Sequence, residues 1–150
     1  MAHTYTSLLI HVIFSTSGRA PLLTDAMRLD LHAYLGGILR EMDAVPIAIG
    51  GTADHVHLLI RLPANLALAD CLRIAKTNSS RWVKERWPQQ RKFAWQGGYG
   101  AFSVSESRRA AVIRYIRDQA QHHRRISFQD EFLALLRKHG LEFDKRYVWQ

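Results

Sequence analysis

Several features that mark other protein classes are scarce in this chain of 150 residues. The single cysteine, Cys71, excludes an internal disulfide framework and a zinc site built from several cysteines, and it fits a reducing compartment. No apolar run approaches the length of a membrane span. The run from Leu8 to Phe14 lacks the preceding basic region and the cleavage pattern of a signal peptide. We therefore expect a cytoplasmic protein with no membrane partner.

Acidic residues are also few relative to basic ones. Thirteen aspartates and glutamates stand against 21 lysines and arginines, which gives a formal net charge of +8. This balance favours a polyanionic partner, nucleic acid before membrane, and the planar guanidinium of arginine suits phosphate and guanine. Repeats, low-complexity tracts and a glycine-rich phosphate-binding loop are absent from the sequence. The length and the ordinary hydrophobic content predict one globular domain over residues 1–150.

Hydrophobic periodicity predicts an alternation of strands and helices. Strands are expected at 5–15, 45–50 and 55–62 and in the stretch that ends at Val104, and helices at 25–43 and 68–87. The resulting order β-α-β-β-α-β is typical of the ferredoxin-like split βαβ fold. In this α+β arrangement both helices lie on one face of an antiparallel sheet.

Two further helices are predicted after this core of about residues 4–105. The first, at about 106–123, is expected to cover part of the open sheet face, and the second, at 127–139, ends at Gly140. The tail over residues 141–150 is too rich in aromatic side chains for a solvated end, so we expect it to dock on some other surface.

The most informative motif is a pair of histidines, His55 and His57, inside a short apolar run. Side chains alternate between the faces of a strand, so both imidazoles point the same way, about 6.5–7 Å apart at the backbone. Such a pair can bind a divalent metal ion. In isolation, however, buried histidines at this spacing more commonly serve packing or hydrogen bonding.

Tyr115 and Gln119 stand four residues apart on one side of the predicted helix at 106–123, beside Arg108 and the pair His122 and His123. If the apolar stripe of this helix lies on the sheet, the adjoining edge brings the phenol and the amide to the histidine pair. A tyrosine with an ordinary pKa near 10 is a weak nucleophile, so it needs a metal-activated phosphate. Imidazole favours Zn, Ni or Cu, whereas phosphoryl transfer more often uses Mg or Mn.

Other polar residues have simpler interpretations. His11 is expected to be a core histidine, and His122 and His123 are expected to be cations at a helix C-terminus rather than ligands. Basic side chains on the second helix commonly form only a solvated face, although they are also candidates for DNA binding. The DNA-binding candidates are Arg73, Lys76, Lys84, Arg108, Arg124 and Arg125.

Taken together, His55-Val56-His57 in a split βαβ fold and Tyr115-x-x-x-Gln119 on a later helix resemble the single-tyrosine HUH transposases, including the REP-associated tyrosine transposases. Longer blocks extend the likeness over nearly the whole chain. These blocks are Val12 to Thr16, Asp54 to Leu59, Trp95 to Ser105 and Tyr115 to His123.

The resemblance implies a function and a set of site residues. His55, His57 and Gln119 would bind Mg²⁺ or Mn²⁺, and Tyr115 would attack single-stranded DNA to form a 5′-phosphotyrosine intermediate beside a recognised hairpin. The resemblance also implies a homodimer in which the tyrosine helix of one subunit completes the histidine site of the other. Whether that helix acts in cis or in trans stays open at this point.

Two other functions compete with this hypothesis. A domesticated relative would bind hairpin DNA or RNA without cutting it, and its tyrosine would then be dispensable. A small-molecule phosphoesterase on a similar fold would need paired His-x-Thr or His-x-Ser motifs, and the sequence has neither. The binding module is therefore the stronger alternative.

Overall fold

A computed structural model describes residues 2–149. Its strands are β1 (Leu9–Ser15), β2 (Val45–Gly51), β3 (His55–Arg61) and β4 (Gly100–Val104), and its helices are α1 (Asp25–Glu41), α2 (Leu68–Arg86), α3 (Arg109–Arg117), α4 (Gln119–His122) and α5 (Phe128–Lys138). Short 3-10 turns lie at Ser17–Arg19, Pro88–Gln90 and Glu106–Arg108. Within residues 2–149, every helix is too short or too polar to cross a lipid bilayer.

The four strands form one antiparallel sheet in the order β2-β3-β1-β4. With α1 and α2 between the strands, this confirms the predicted ferredoxin-like α+β fold. The two central strands pair directly, with Ile13 opposite His57 and Ser15 opposite His55. β1 begins at Leu9 rather than at Tyr5, since its pairing starts there and Tyr5 is exposed.

One face of the sheet packs against α1 and α2 around the main hydrophobic core. Val12 and Phe14 of β1 and Leu58 of β3 meet the helices there, and all three are fully buried. Thr24 caps α1, because its side chain accepts a hydrogen bond from the amide of Met27.

The opposite face of the sheet is covered by the later helices. Ile116 of α3 packs in a cluster with Leu9 and Leu59. On the other side of the same face, Phe128 and Phe132 of α5 pack on residues of β1 and β4. The tail joins this second cluster through Phe143, Val148 and Trp149, so the surface on which it docks belongs to the fold of its own chain.

The helix predicted for 106–123 has nearly the predicted bounds, but it is not continuous. The segment starts as a 3-10 turn, α3 ends at Arg117, and Asp118 has φ −95° and ψ 19° before α4 begins at Gln119. Neither glycine nor proline lies near the break, so the sequence carries no local signal for it. The break turns Gln119 toward the sheet face, where its side chain is buried.

Gly50 sets how closely α3 approaches the sheet. A Cβ atom added at Gly50 would lie 2.2 Å from the backbone oxygen of Ile116, whereas one added at Gly37 in α1 would meet nothing within 4 Å. We expect Gly50→Ala to lower the free energy of unfolding by about 1–3 kcal/mol, since a backbone atom must move. The matched change Gly37→Ala is expected to raise it by about 0.5–1 kcal/mol through helix propensity. Urea denaturation measures both, and equal effects would contradict the close approach.

Candidate active site

His55 and His57 lie on strand β3, on the face of the sheet that α3 and α5 cover. Both side chains are fully buried, and their ring centroids lie 5.1 Å apart. The structure therefore has both imidazoles on one face of the sheet, as the alternation of side chains along a strand predicts.

Hydrogen bonds on the outer side of each ring fix which nitrogen faces the site. His55 Nδ1 lies 2.7 Å from Asp54 Oδ1, and His57 Nδ1 lies 2.8 Å from His11 Nε2. In both rings Nε2 is left to point inward. A carboxylate on the outer nitrogen of a histidine is the arrangement that orients imidazoles in metal sites. His11 is thus a buried histidine that contacts the candidate site through His57.

Gln119 points its amide oxygen at the histidines. Its Oε1 lies 3.1 Å from His55 Nε2, while its Nε2 donates hydrogen bonds to the backbone oxygen of Tyr115 at 3.2 Å and to Glu131 Oε2 at 3.3 Å. The oxygen is therefore the atom that could reach a cation shared with the histidines.

Tyr115 lies beside the same histidines in the same chain. Its ring centroid is 5.6 Å from that of His57 and 6.0 Å from that of His11. The phenol donates a hydrogen bond to Glu131 Oε2. Tyr115 precedes the break after Arg117 and Gln119 follows it, yet both side chains contact Glu131 Oε2.

Sequence analysis missed Glu131, which lies at the centre of the site. This carboxylate is 2% exposed, and its Oε1 lies 3.0 Å from His57 Nε2 and 3.1 Å from His123 Nε2. One signal was present in the sequence. Glu131 lies on the apolar stripe of α5 between Phe128 and Phe132, where a charged residue needs a partner.

His123 also differs from its predicted role. Its Nδ1 donates a hydrogen bond to the backbone oxygen of Ile126 at 2.7 Å, and its Nε2 lies 2.9 Å from Gln119 Oε1. We expected His123 to be only a cation at a helix end, and this expectation is wrong, because its ring is part of the buried cluster. His122 lies at the margin of the cluster, with Nε2 3.2 Å from Glu131 Oε2.

The buried charges shift several pKa values. Burial lowers the pKa of His57 to about 4, although its bond to Glu131 acts against this, and burial next to His57 lowers the pKa of His11 to about 3. Burial alone would raise the pKa of Glu131, but hydrogen bonds from His123 and His57 hold it far below its usual value. Burial and the neighbouring Glu131 raise the pKa of Tyr115. At neutral pH the site thus has neutral rings at His11 and His57, a carboxylate and a protonated phenol.

The donor atoms are arranged so that they could hold one metal ion. One ligand atom each from His55, His57, His123 and Glu131 lies within 4.8 Å of the others. Ligands at about 2.1 Å from an octahedral ion stand roughly 3–4.2 Å from one another, so the cluster has the right size for a single cation.

The predicted DNA-binding residues fall on two sides of the molecule. Arg108, Arg124 and Arg125 are exposed on segments that border the histidine face, whereas Arg73 and Lys84 are exposed on α2, across the sheet from the site. The outward placement predicted for Lys76 is wrong. Its Nζ is partly buried and donates hydrogen bonds to the backbone oxygens of Gln96 and Gly98 at 2.7 and 2.8 Å. Lys76 therefore holds the segment before β4 against α2.

Neutral buried histidines make stability depend on pH. His11, His57 and His32 all have a pKa lowered by burial, to about 3, 4 and 4, whereas an unfolded histidine has a pKa near 6.5. Below pH 6.5 the unfolded chain binds more protons than the folded one. We expect the free energy of unfolding to fall between pH 6.5 and pH 4, by up to about 1.4 kcal/mol per pH unit for each such histidine.

This loss will be partly offset by His123, whose pKa is raised by Glu131 against the effect of burial. Urea denaturation in EDTA at pH 7.5, 6 and 5 measures the slope. The variant His32→Leu should flatten it without touching the site. Greater stability at pH 5 than at pH 7.5 would contradict the assignment of neutral rings.

Comparisons with known proteins agree with this fold. Over 114 residues, covering 73% of this chain and 81% of the relative, the sequence is 28% identical to the ISDra2 transposase TnpA of Deinococcus radiodurans. A protein from D. radiodurans R1 assigned as a transposase, whose crystal structure extends to 1.90 Å resolution, is similar with a TM-score of 0.65. The two sequences are 25% identical, and the superposition covers 79% of this chain and 96% of the other chain.

A second solved structure has a similar fold. It is a REP-associated tyrosine transposase bound to a REP hairpin, with a TM-score of 0.58 and 13% identity over 77% of this chain and 68% of that one. All three of these similar proteins are named as transposases. The model of the IS200-like transposase family matches residues 4–119, well over half of the chain, and the chain belongs to that family. His123 and Glu131 lie beyond the matched segment.

Proposed function

We propose that this protein is a metal-dependent transposase that cuts and rejoins single-stranded DNA beside a hairpin, through a 5′-phosphotyrosine at Tyr115. One observation carries the proposal: the phenol of Tyr115, the amide of Gln119 and both histidines of β3 all meet around Glu131 in one buried cluster. A nucleophile beside a set of metal-binding side chains is what phosphodiester transfer needs.

The chain's own groups account for the atoms of the cleavage step. The phenol oxygen of Tyr115 bonds to the phosphorus, and the bond from phosphorus to the 3′ oxygen of the preceding nucleotide breaks. The phenol proton passes to Glu131 Oε2 along its hydrogen bond, and the released 3′ oxygen takes up a proton from water to become a hydroxyl. Rejoining is the reverse reaction, so no nucleotide triphosphate is consumed, in accord with the absence of a phosphate-binding loop in the sequence.

His55, His57 and Gln119 would hold the divalent ion, and Glu131 could add a carboxylate oxygen to them. Imidazoles alone favour softer metals, but oxygen donors shift the preference toward Mg²⁺ or Mn²⁺. When bound, the ion would polarise a phosphate oxygen. This help is needed because burial and Glu131 raise the pKa of Tyr115 and so keep the phenol protonated.

The proposed partner is single-stranded DNA that carries a hairpin. The net charge of +8 supports a polyanionic partner, and Arg108, Arg124 and Arg125 lie where they could bind the backbone of a strand that enters the site. A relative in fold binds a REP hairpin. A homodimer and a cytoplasmic location stay predictions.

The defining experiment uses labelled hairpin DNA with an unpaired flank, incubated with the protein and Mn²⁺. The proposal expects a protein–DNA complex that survives denaturant and boiling and that is lost with EDTA. Binding that is tight but never yields such a complex, in Mg²⁺ or Mn²⁺, would instead favour the alternative of a non-catalytic hairpin-binding module.

We further propose that Tyr115 acts in cis, on the histidines of its own chain. The contact of its phenol with Glu131 and the burial of Gln119, four residues along, support this arrangement. Mixing Tyr115→Phe protein with His57→Ala protein is then expected to give no adduct, since neither chain has a complete site. Recovery of adduct to roughly a quarter or more of the wild-type level would show exchange of the tyrosine helix between subunits of a dimer.

A further inference from the structure

A cavity of about 520 Å³ opens between α3, α5 and the sheet, next to the candidate active site. Its walls are mostly apolar side chains of both helices and of β4. The residues that form these walls are Val104, Ala111, Val112, Ile126, Ala134 and Leu135. The volume lies within the range of roughly 300–1,000 Å³ that is typical of small-ligand pockets.

The floor of the cavity is aromatic. His11 and Phe102 line it, and their ring centroids lie 6.1 Å apart in an edge-on arrangement. Phe102 also stacks on the ring of His139 at 4.3 Å, and that ring belongs to the lining too. His11 and Phe102 are buried, so the exposed ring of His139 presents the open aromatic surface, and flat rings of this kind are surfaces on which nucleic-acid bases stack.

The inner end of the cavity is lined by the proposed nucleophile, Tyr115. Tyr115 and Glu131 both belong to the lining, so the space next to the phenol is continuous with the cavity. The remaining lining includes the cations Arg108 and Lys138, which are both exposed to solvent. Apolar walls with cations at the solvent side match a nucleotide, whose base is flat and apolar on its faces and whose phosphates are anionic.

We propose that this cavity binds the base of the unpaired nucleotide that adjoins the scissile phosphate. The inference rests on the proposed function and adds to it a place for the substrate. A base that is stacked and paired in a duplex cannot enter such a space, so the cavity would select an unpaired flank over duplex DNA. Polar side chains such as Ser103 and His122 also line the cavity, but most of its exposed surface is apolar, so binding would depend mainly on stacking and tolerate different bases.

The test uses a hairpin with 2-aminopurine at successive positions of the unpaired flank, and fluorescence as the readout, so that it does not require cleavage. One position is expected to change its fluorescence when wild-type protein binds. Ala134→Trp fills the cavity from α5 and should abolish that change, while affinity for the hairpin alone stays within about twofold. Ala110→Trp is the matched control, because Ala110 is exposed on α3 and lies outside the lining.

Activity provides the second measurement. An abasic site at the responding position should slow adduct formation by about 5- to 150-fold, the range of one stacked base. Ala134→Trp should show a similar loss with intact DNA and little additional loss with abasic DNA. Fluorescence that changes equally in Ala134→Trp, or at no position of the flank, would overturn the proposal. If wild-type protein binds with the expected fluorescence change but forms no adduct, the proposed catalysis fails and the base site stands.

Discussion

Tyr115→Phe is expected to abolish the covalent protein–DNA complex, with a drop of at least about 10³-fold in its rate of formation. The substitution removes the oxygen that is proposed to bond to phosphorus, while the ring keeps its contacts with His11 and His57. Binding of the hairpin should therefore stay within about twofold of wild type. Denaturing gels with labelled DNA measure the first effect and a gel shift under native conditions measures the second.

The matched control for this substitution is Tyr147→Phe. Tyr147 is 56% exposed on the tail and lies outside the cluster of histidines. The Tyr147→Phe protein should form adduct at the wild-type rate. If Tyr115→Phe formed adduct and Tyr147→Phe did not, the nucleophile would have been assigned to the wrong residue.

His57→Ala is expected to remove both metal binding and adduct formation. The substitution deletes one inward-facing nitrogen and leaves Glu131 without one of its closest partners. Loss of a direct ligand should weaken Mn²⁺ binding by more than about 100-fold, since loss of a group that only supports a ligand already costs about 10- to 100-fold. Calorimetric titration with Mn²⁺ measures the affinity, and the same gels measure the adduct.

His3→Ala is the control for this change, because His3 is exposed near the start of the described chain. Circular dichroism of His57→Ala checks that the fold persists. Unchanged Mn²⁺ affinity in folded His57→Ala protein would mean that the histidine pair is only a packing feature, which is the commoner role of such residues.

Local patterns in the sequence predict most of the architecture. The alternation of apolar residues predicts the strands, and the order of strands and helices predicts the ferredoxin-like topology of the sheet. The same alternation predicts that His55 and His57 share a face. All of these patterns are local, because each depends on residues that are only a few positions apart in the sequence.

The features that sequence analysis missed depend on contacts between distant residues. His57 and Glu131 are 74 positions apart, and their contact exists only because α5 packs over the sheet. The break at Asp118 comes without a glycine or a proline, so packing rather than local preference sets it. Lys76 has the spacing of a surface residue, yet two backbone oxygens beyond α2 bind its ammonium group.

The helix α5 lies beyond the segment shared with the family, and it supplies both the carboxylate against Tyr115 and one wall of the adjoining cavity. A mutation that slides or tilts this helix would displace the carboxylate that contacts Tyr115 and the wall of the cavity together. Under the proposed function, mutations that move α5 therefore cannot change the reactivity of Tyr115 without also changing the preference for a substrate base.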